Sequence, residues 1–227
     1  MERVPGIELK LVMKRAKKAP EQFNPAQLKE ITRLAAATLV SLHRLQGESP
    51  DVQSLQTQVE KLRPQVALLH LLAPLLAQQV EALLQQIEQL GAGFSAVAPC
   101  LVHGDFSPGQ LLLMEKGQIG VIDFDSACLG DPALDVGNFM AKLHSKAVSG
   151  ANNAFRQLAT HFLAEYQARL PEQRVGERIH LFLSAALVRR ALREFEMRPY
   201  DYYGRADPDS FLSRLLQEAA AYLAGRL

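Results

Sequence analysis

At 227 residues the chain is long enough to bury the core of one large domain or two small ones, and 48% apolar and 22% charged residues describe an ordinary globular composition. A net charge of +1 gives no case for nucleic acid or an anionic membrane as partner, since both call for clustered basic charge. The one basic run, Lys14-Arg15-Ala16-Lys17-Lys18, is short and reads as a solvated loop or helix end.

Met1 is followed by Glu2 and Arg3 rather than an apolar leader, and the longest oily stretch, 66–77, is broken by His70 and Pro74. Two cysteines, Cys100 and Cys128, make neither a disulfide framework nor a zinc spacing, and read as buried thiols in a reducing compartment. The expectation is a cytoplasmic protein.

Residues 1–23 read as a short extended piece and a basic loop, with turns at Pro5-Gly6 and Pro20. Asn24-Pro25 then has the form of an N-cap followed by proline at the first helical position. Leu28, Ile31, Leu34, Ala35, Leu39, Leu42 and Leu45 recur at helical spacing until Gly47. Ser49-Pro50-Asp51 restarts the chain, and 52–90 reads as two helices, a weak one before Pro64 and a strong one from Pro74 to Leu90. Gly91-Ala92-Gly93 ends that run.

The middle of the chain changes character. Cys100-Leu101-Val102 is short and apolar, and 110–114 and 119–123 are strand-like runs joined at Glu115-Lys116-Gly117-Gln118, a hairpin turn. After Pro132 the pattern is helical again at 133–146, 151–169, 173–198 and 208–226, the last behind a cap-like Asp207-Pro208. There is no internal repeat. The fold class expected is mainly α with a small central β-hairpin.

The chemistry gathers around that hairpin. The sequence reads His103-Gly104-Asp105-Phe106-Ser107-Pro108-Gly109-Gln110, then the hairpin, then Ile122-Asp123-Phe124-Asp125, then Gly130-Asp131-Pro132-Ala133-Leu134-Asp135. A tight hairpin returns the chain on itself, so Asp105, Gln110 and Asp123 can converge on one point. Two carboxylates and an amide oxygen are hard ligands suited to Mg²⁺ and phosphate oxygens. Phosphoryl transfer uses such a set, with a carboxylate to orient the attacking hydroxyl and metal ligands on a catalytic loop and a following strand end.

With these residues in order, the chain resembles the aminoglycoside phosphotransferases and choline kinase-like enzymes, whose pattern is His-Gly-Asp-x-x-x-x-Asn, then Ile-Asp-Phe, then Gly-Asp-Pro-x-x-Asp. The resemblance is tightest over 100–140. Met1-Glu2-Arg3-Val4-Pro5-Gly6 is similar to the stretch after the hinge between lobes, and Leu39-Val40-Ser41-Leu42-His43 to a Leu-x-x-Leu-His helix. It implies a protein-kinase-like C-terminal lobe at 24–227, behind a post-hinge segment at 1–23 and with a helical subdomain at 49–93 and 151–227. It also implies an Mg²⁺- and ATP-dependent kinase for a hydroxyl of a small molecule, with Asp105 as catalytic base. Asp123 and Gln110 would hold the metal, with His103 beside them at the nucleotide and supporting the loop, and Asp135 and Asp131 would support the site. Gln110 departs from the usual Asn and lies one methylene further out, a variant shared with related maltokinases.

Kinases of this type hold ATP under a small lobe of roughly 60 residues, carrying a Gly-rich loop and a Lys. Only 23 residues precede Asn24, and Lys10 is the sole candidate for that lysine. The expectation is therefore a large lobe alone, weakly active or inactive unless the N-terminal lobe is supplied in cis or in trans. The rival from another class is a non-catalytic kinase remnant that acts as a binding or regulatory module.

Other residues carry plainer readings. Asp125 either reaches the metal or faces solvent, and His43, His70, His144, His161 and His180 lie on helical patterns as structural or exposed residues. Arg189, Arg190, Arg193, Glu194 and Glu196, with Tyr200-Asp201-Tyr202-Tyr203, fall where the family binds its acceptor, but their mixed signs leave the acceptor open.

Overall fold

The computed structural model describes residues 5–19, 24–47, 49, 52–94, 97–150, 153–202 and 207–225. The expected post-hinge residues 1–4, the turn at Pro20, the restart at Pro50-Asp51 and Tyr203 lie outside the described residues.

The chain opens with β1 (Ile7–Glu8) and α1 (Leu9–Lys18). The sequence reads residues 1–23 as a short extended piece and a basic loop, with 14–18 a loop or helix end, but Leu9, Met13 and Ala16 share one face at helical spacing and are buried, so 9–18 is an amphipathic helix with its lysines outward. In α2 (Pro25–His43) the Asn24 side chain accepts from the Ala26 N–H at 2.9 Å, the expected cap.

Three helices, not two, follow the short β2 (Val52–Gln53): α3 (Leu55–Glu60), α4 (Arg63–Leu72) and α5 (Pro74–Gly91). Pro64 and Pro74 stand in the first turns of α4 and α5, where a missing N–H costs nothing, so they start helices rather than interrupt them.

The expected single hairpin is one part of two three-stranded sheets. In the first, β4 (Leu111–Leu113) and β5 (Ile119–Val121) form the hairpin, with Leu111 opposite Val121, and β1 pairs antiparallel on the other edge of β4. In the second, β6 (Cys128–Gly130) lies between β2, parallel to it, and the antiparallel β3 (Cys100–Val102).

The rest is helical: α6 (Ala133–Gly150), α7 (Ala154–Arg169), α8 (Ile179–Met197), α9 (Pro199–Tyr202) and α10 (Phe211–Leu223). The last is capped by Ser210 rather than Asp207, and residues 171–173 and 175–177 form single 3₁₀ turns before α8. Helix α6 runs through the middle and is buried along most of its length against α7 and α8. A Cβ at Gly137 would sit 2.9 Å from the Phe182 backbone, so glycine lets α6 and α8 approach closely. Phe106, fully buried, projects from the loop after β3 onto Phe139 of α6, which stacks on Phe162 of α7 at 4.1 Å between ring centroids. Burying that one ring contributes roughly 2 kcal/mol and ties the loop to the core. Among the described residues no helix is long and apolar enough to cross a membrane.

Candidate active site

The loop after β3 is held from beneath by Asp135, in the first turn of α6. Its carboxylate is fully buried and accepts from the His103 N–H at 2.7 Å, the Gly104 N–H at 2.9 Å and the His43 imidazole at 3.2 Å. The other His43 ring nitrogen meets the Tyr166 hydroxyl at 2.7 Å. A buried carboxylate with this many donors stays satisfied and fixes the backbone it holds. Asn138, one turn further along α6, donates to the Gly104 carbonyl at 3.0 Å and accepts from Arg189 of α8 at 2.6 Å.

The loop also docks sideways onto the turn after β5. His103 is fully buried; its Nε2 donates to the Ile122 carbonyl at 3.0 Å, and its Nδ1 accepts from the Asp105 N–H at 3.4 Å. Both ring nitrogens are thus engaged within the chain, which fits loop support and leaves none for the nucleotide contact expected of His103. Gly104 has φ +81°, and a Cβ there would fall 2.3 Å from the Ser126 carbonyl oxygen, so the two segments touch backbone to backbone. At the base of the hairpin the Ile122 N–H donates to the Gln110 carbonyl at 3.0 Å.

These contacts set Gln110 against Asp105 and against the backbone of Ile122, the residue before Asp123. The Gln110 amide donates to Asp105 Oδ2 at 3.4 Å. Asp123 adopts the left-handed conformation, φ 66° and ψ 64°, which L-residues other than Asn and Asp rarely occupy. That twist ends β5 and leaves the carboxylate exposed, with no hydrogen-bond partner among the described residues. Asp125, two residues on, is exposed as well.

Asp131 is occupied otherwise. It caps α6 by accepting from the Ala133 N–H at 2.8 Å and forms a two-pronged pair with Arg178 at 2.6 and 2.7 Å. It therefore holds the end of β6 to the turn before α8. Two residues of the brace, His43 and Asn138, carried signals in the sequence: the Leu-x-x-Leu-His pattern, and a spacing of three from Asp135 along one helix. Tyr166 had no such signal.

Among the described residues, no three His, Cys, Asp or Glu side chains gather as a ready metal cage. One carboxylate and an amide oxygen at an open turn is instead the donor set Mg²⁺ uses when phosphate oxygens and water complete its shell. The residues present fit that ion.

The fold is of the protein-kinase-like kind. The chain belongs to the phosphotransferase enzyme family, whose sequence profile matches residues 1–173. Its fold is similar to that of a glucosamine kinase, at TM-score 0.64 and 18% identity over 96% of this chain and 60% of that one. A glucosamine kinase in complex with glucosamine, ADP and inorganic phosphate is similar at TM-score 0.64 and 17% identity, over 96% of this chain and 61% of that one. A thermostable mutant of the aminoglycoside phosphotransferase APH(4)-Ia is similar at TM-score 0.64 and 16% identity, over 99% of this chain and 71% of that one. An ethanolamine kinase from Plasmodium vivax gives 0.63 and 15%, over 100% and 65%. This chain spans about 60% of the length of the glucosamine kinase. No curated protein matches it.

Proposed function

We propose that this chain is the large lobe of a kinase that moves the γ-phosphate of ATP to a hydroxyl of a small molecule. The observation that carries this is the docking of the His103–Asp105 loop on the turn after β5, with Gln110 against Asp105, which supports reading Asp105, Gln110 and Asp123 as one site. In this reading Asp105 orients the acceptor hydroxyl and takes its proton as the oxygen bonds to the γ-phosphorus. The bond from that phosphorus to the bridging oxygen breaks, and ADP leaves. Asp123 and Gln110 would hold Mg²⁺, which when bound neutralises charge on the phosphate oxygens. Asp135, His43 and Asn138 keep the loop in register and touch no reactant. The small lobe that covers the nucleotide phosphates would act in cis or in trans, and the chain alone would turn over slowly or not at all.

The test is ATP with Mn²⁺ in place of Mg²⁺, read by paramagnetic broadening of backbone amides in the full chain. Broadening centred on residues 105, 110 and 122–124, absent without ATP and lost in Asp123→Asn, is the expected result. Asp105→Asn should keep the broadening and lose all ATP turnover that a supplied small lobe restores. Nucleotide binding that ignores the metal, or none at all, would leave a docking module and not a kinase lobe.

A further inference from the structure

Three helices carry basic residues that lie near one another beside the loop of Asp105. Lys142 and Lys146 lie one turn apart on α6, Arg189, Arg190 and Arg193 on α8, and Lys10, Lys14 and Lys17 at i, i+4 and i+7 on α1. They form one electrostatic neighbourhood. Asp105 acts on Lys142, Arg189 and Arg190, while Lys10, Lys14, Lys17 and Arg190 act on Lys146. Two contacts tie the group to the catalytic loop. Arg189 reaches it through Asn138 and the Gly104 carbonyl, and the backbone N–H of Lys10 donates to the Pro108 carbonyl at 2.7 Å, with the Lys10 side chain beside Gly109.

This cluster lacks the acids that normally accompany buried cations. Among the described residues Lys142, Lys146, Arg190 and Arg193 have no carboxylate in ion-pair contact, and the buried Nε of Arg190 has no hydrogen-bond partner. Glu194 is the nearest acid on α8, and it faces Arg198 at 3.7 Å. Burial first, and then the neighbouring cations, push both Lys142 and Lys146 down to about 8. Asp105, Asp135 and Glu194 act on this half-buried set of like charges but none is ion-paired to Lys142, Lys146 or Arg190, so an anion set against them would relieve their mutual repulsion.

Resting on the kinase-lobe reading, we propose that the acceptor is an oxyanion-bearing alcohol, a hydroxyl compound whose phosphate or carboxylate is gripped by Lys142, Lys146 and Arg190 while its hydroxyl faces Asp105. Arginine's planar fork and two ammonium groups suit such an oxyanion. An amine-bearing acceptor, of the kind for which the glucosamine and ethanolamine kinases are named, would meet like charge here.

The experiment is titration of the full chain, without nucleotide, with glucose 6-phosphate, gluconate, glucose and glucosamine, followed by amide shifts. Saturable shifts on 142, 146 and 190 by glucose 6-phosphate or gluconate, at least about tenfold tighter than by glucose, are expected, and the stronger of the two names the oxyanion. Lys142→Gln with Lys146→Gln should weaken that binding about tenfold or more and leave Mn²⁺–ATP broadening unchanged. A readout that needs no variant is the titration of the Lys142 ammonium, which saturating probe should move upward. No saturable shift from either anion, or tighter binding of glucosamine, would overturn the proposal. So would displacement of the anion by Mg²⁺–ATP together with equal loss of ATP binding in the double variant, since the patch would then serve the nucleotide. Metal-dependent ATP binding without anion binding sinks only the acceptor class; anion binding without it sinks the kinase-lobe reading instead.

Discussion

Asp135 and Asp123 lie on either side of the His103–Asp105 loop and are built in opposite ways. Asp135 is fully buried, takes two backbone N–H groups and an imidazole, and exists to hold other atoms still. Asp123 is exposed at a strained backbone position, with nothing among the described residues bonded to its carboxylate. A group meant to act must be left with unspent valence, and a group meant to position must have none. The same site therefore concentrates stability on one side and instability on the other.

The largest effect should come from Asp135→Ala. It strands the His103 and Gly104 N–H groups and the His43 imidazole in a buried place, so urea unfolding should show a loss of about 3–5 kcal/mol. A loss below about 1 kcal/mol would break the contrast.

Asp123→Gly sharpens it from the other side. At φ 66° glycine relieves the backbone, so stability should rise by roughly 0.5–1 kcal/mol while the ATP-dependent Mn²⁺ broadening disappears. If stability falls instead, Asp123 is doing structural service.

A third test uses pH, away from the site. Burial raises the Glu218 carboxyl, but hydrogen bonds from Arg156 and His144 more than offset this and hold it down at about 2. The unfolded chain therefore binds more protons than the folded one below the usual carboxylate value. The contribution of Glu218 is whole above about 4.5 and fades as pH falls toward about 2, and a Glu218→Gln variant should show a flatter acid limb in thermal melts. At the basic patch the sign is the same but the window is alkaline. Lys142 and Lys146 sit at about 8 against an ordinary 10.5, so their destabilising charge is fully present below about 8 and relieved as pH climbs to 10.5. Replacing both with Gln should raise the melting temperature at pH 7 and leave it unchanged above 10.5.

The smallest effect concerns Cys100. Cys100 is half-buried rather than buried as the sequence suggests, and burial foremost, then Asp135 and Asp131, push its thiol up to about 12, so disulfide reagents at neutral pH should label it far more slowly than a free thiol. Fast labelling in the native protein would show a looser β3 than this structure has.

Much of this was legible in the residues. The hairpin was readable because its strand pairing is local, and its return leaves Gln110 against Asp105. The two sheets were harder, because β2 and β6 are two and three residues long and pair across 76 positions, from Val52 to Leu129 or from Gln53 to Gly130, leaving no periodic signature. The helix at 9–18 was masked by its own charge; only Leu9, Met13 and Ala16 on it are buried. The basic patch was beyond reach, since Lys10, Lys142 and Arg190 become neighbours through helix packing and not through sequence. Local spacing placed the hairpin and its flanking loop; long-range packing decided what surrounds them.

The hairpin serves the site only at its base, where the Ile122 N–H meets the Gln110 carbonyl. Its tip, Glu115–Gly117, hangs clear of the site, and a side chain on Gly117 would find open space. That tip is thus a free port. A peptide tag or fluorophore spliced in there would report on the lobe's whereabouts in a cell and leave the residues around Asp105 undisturbed.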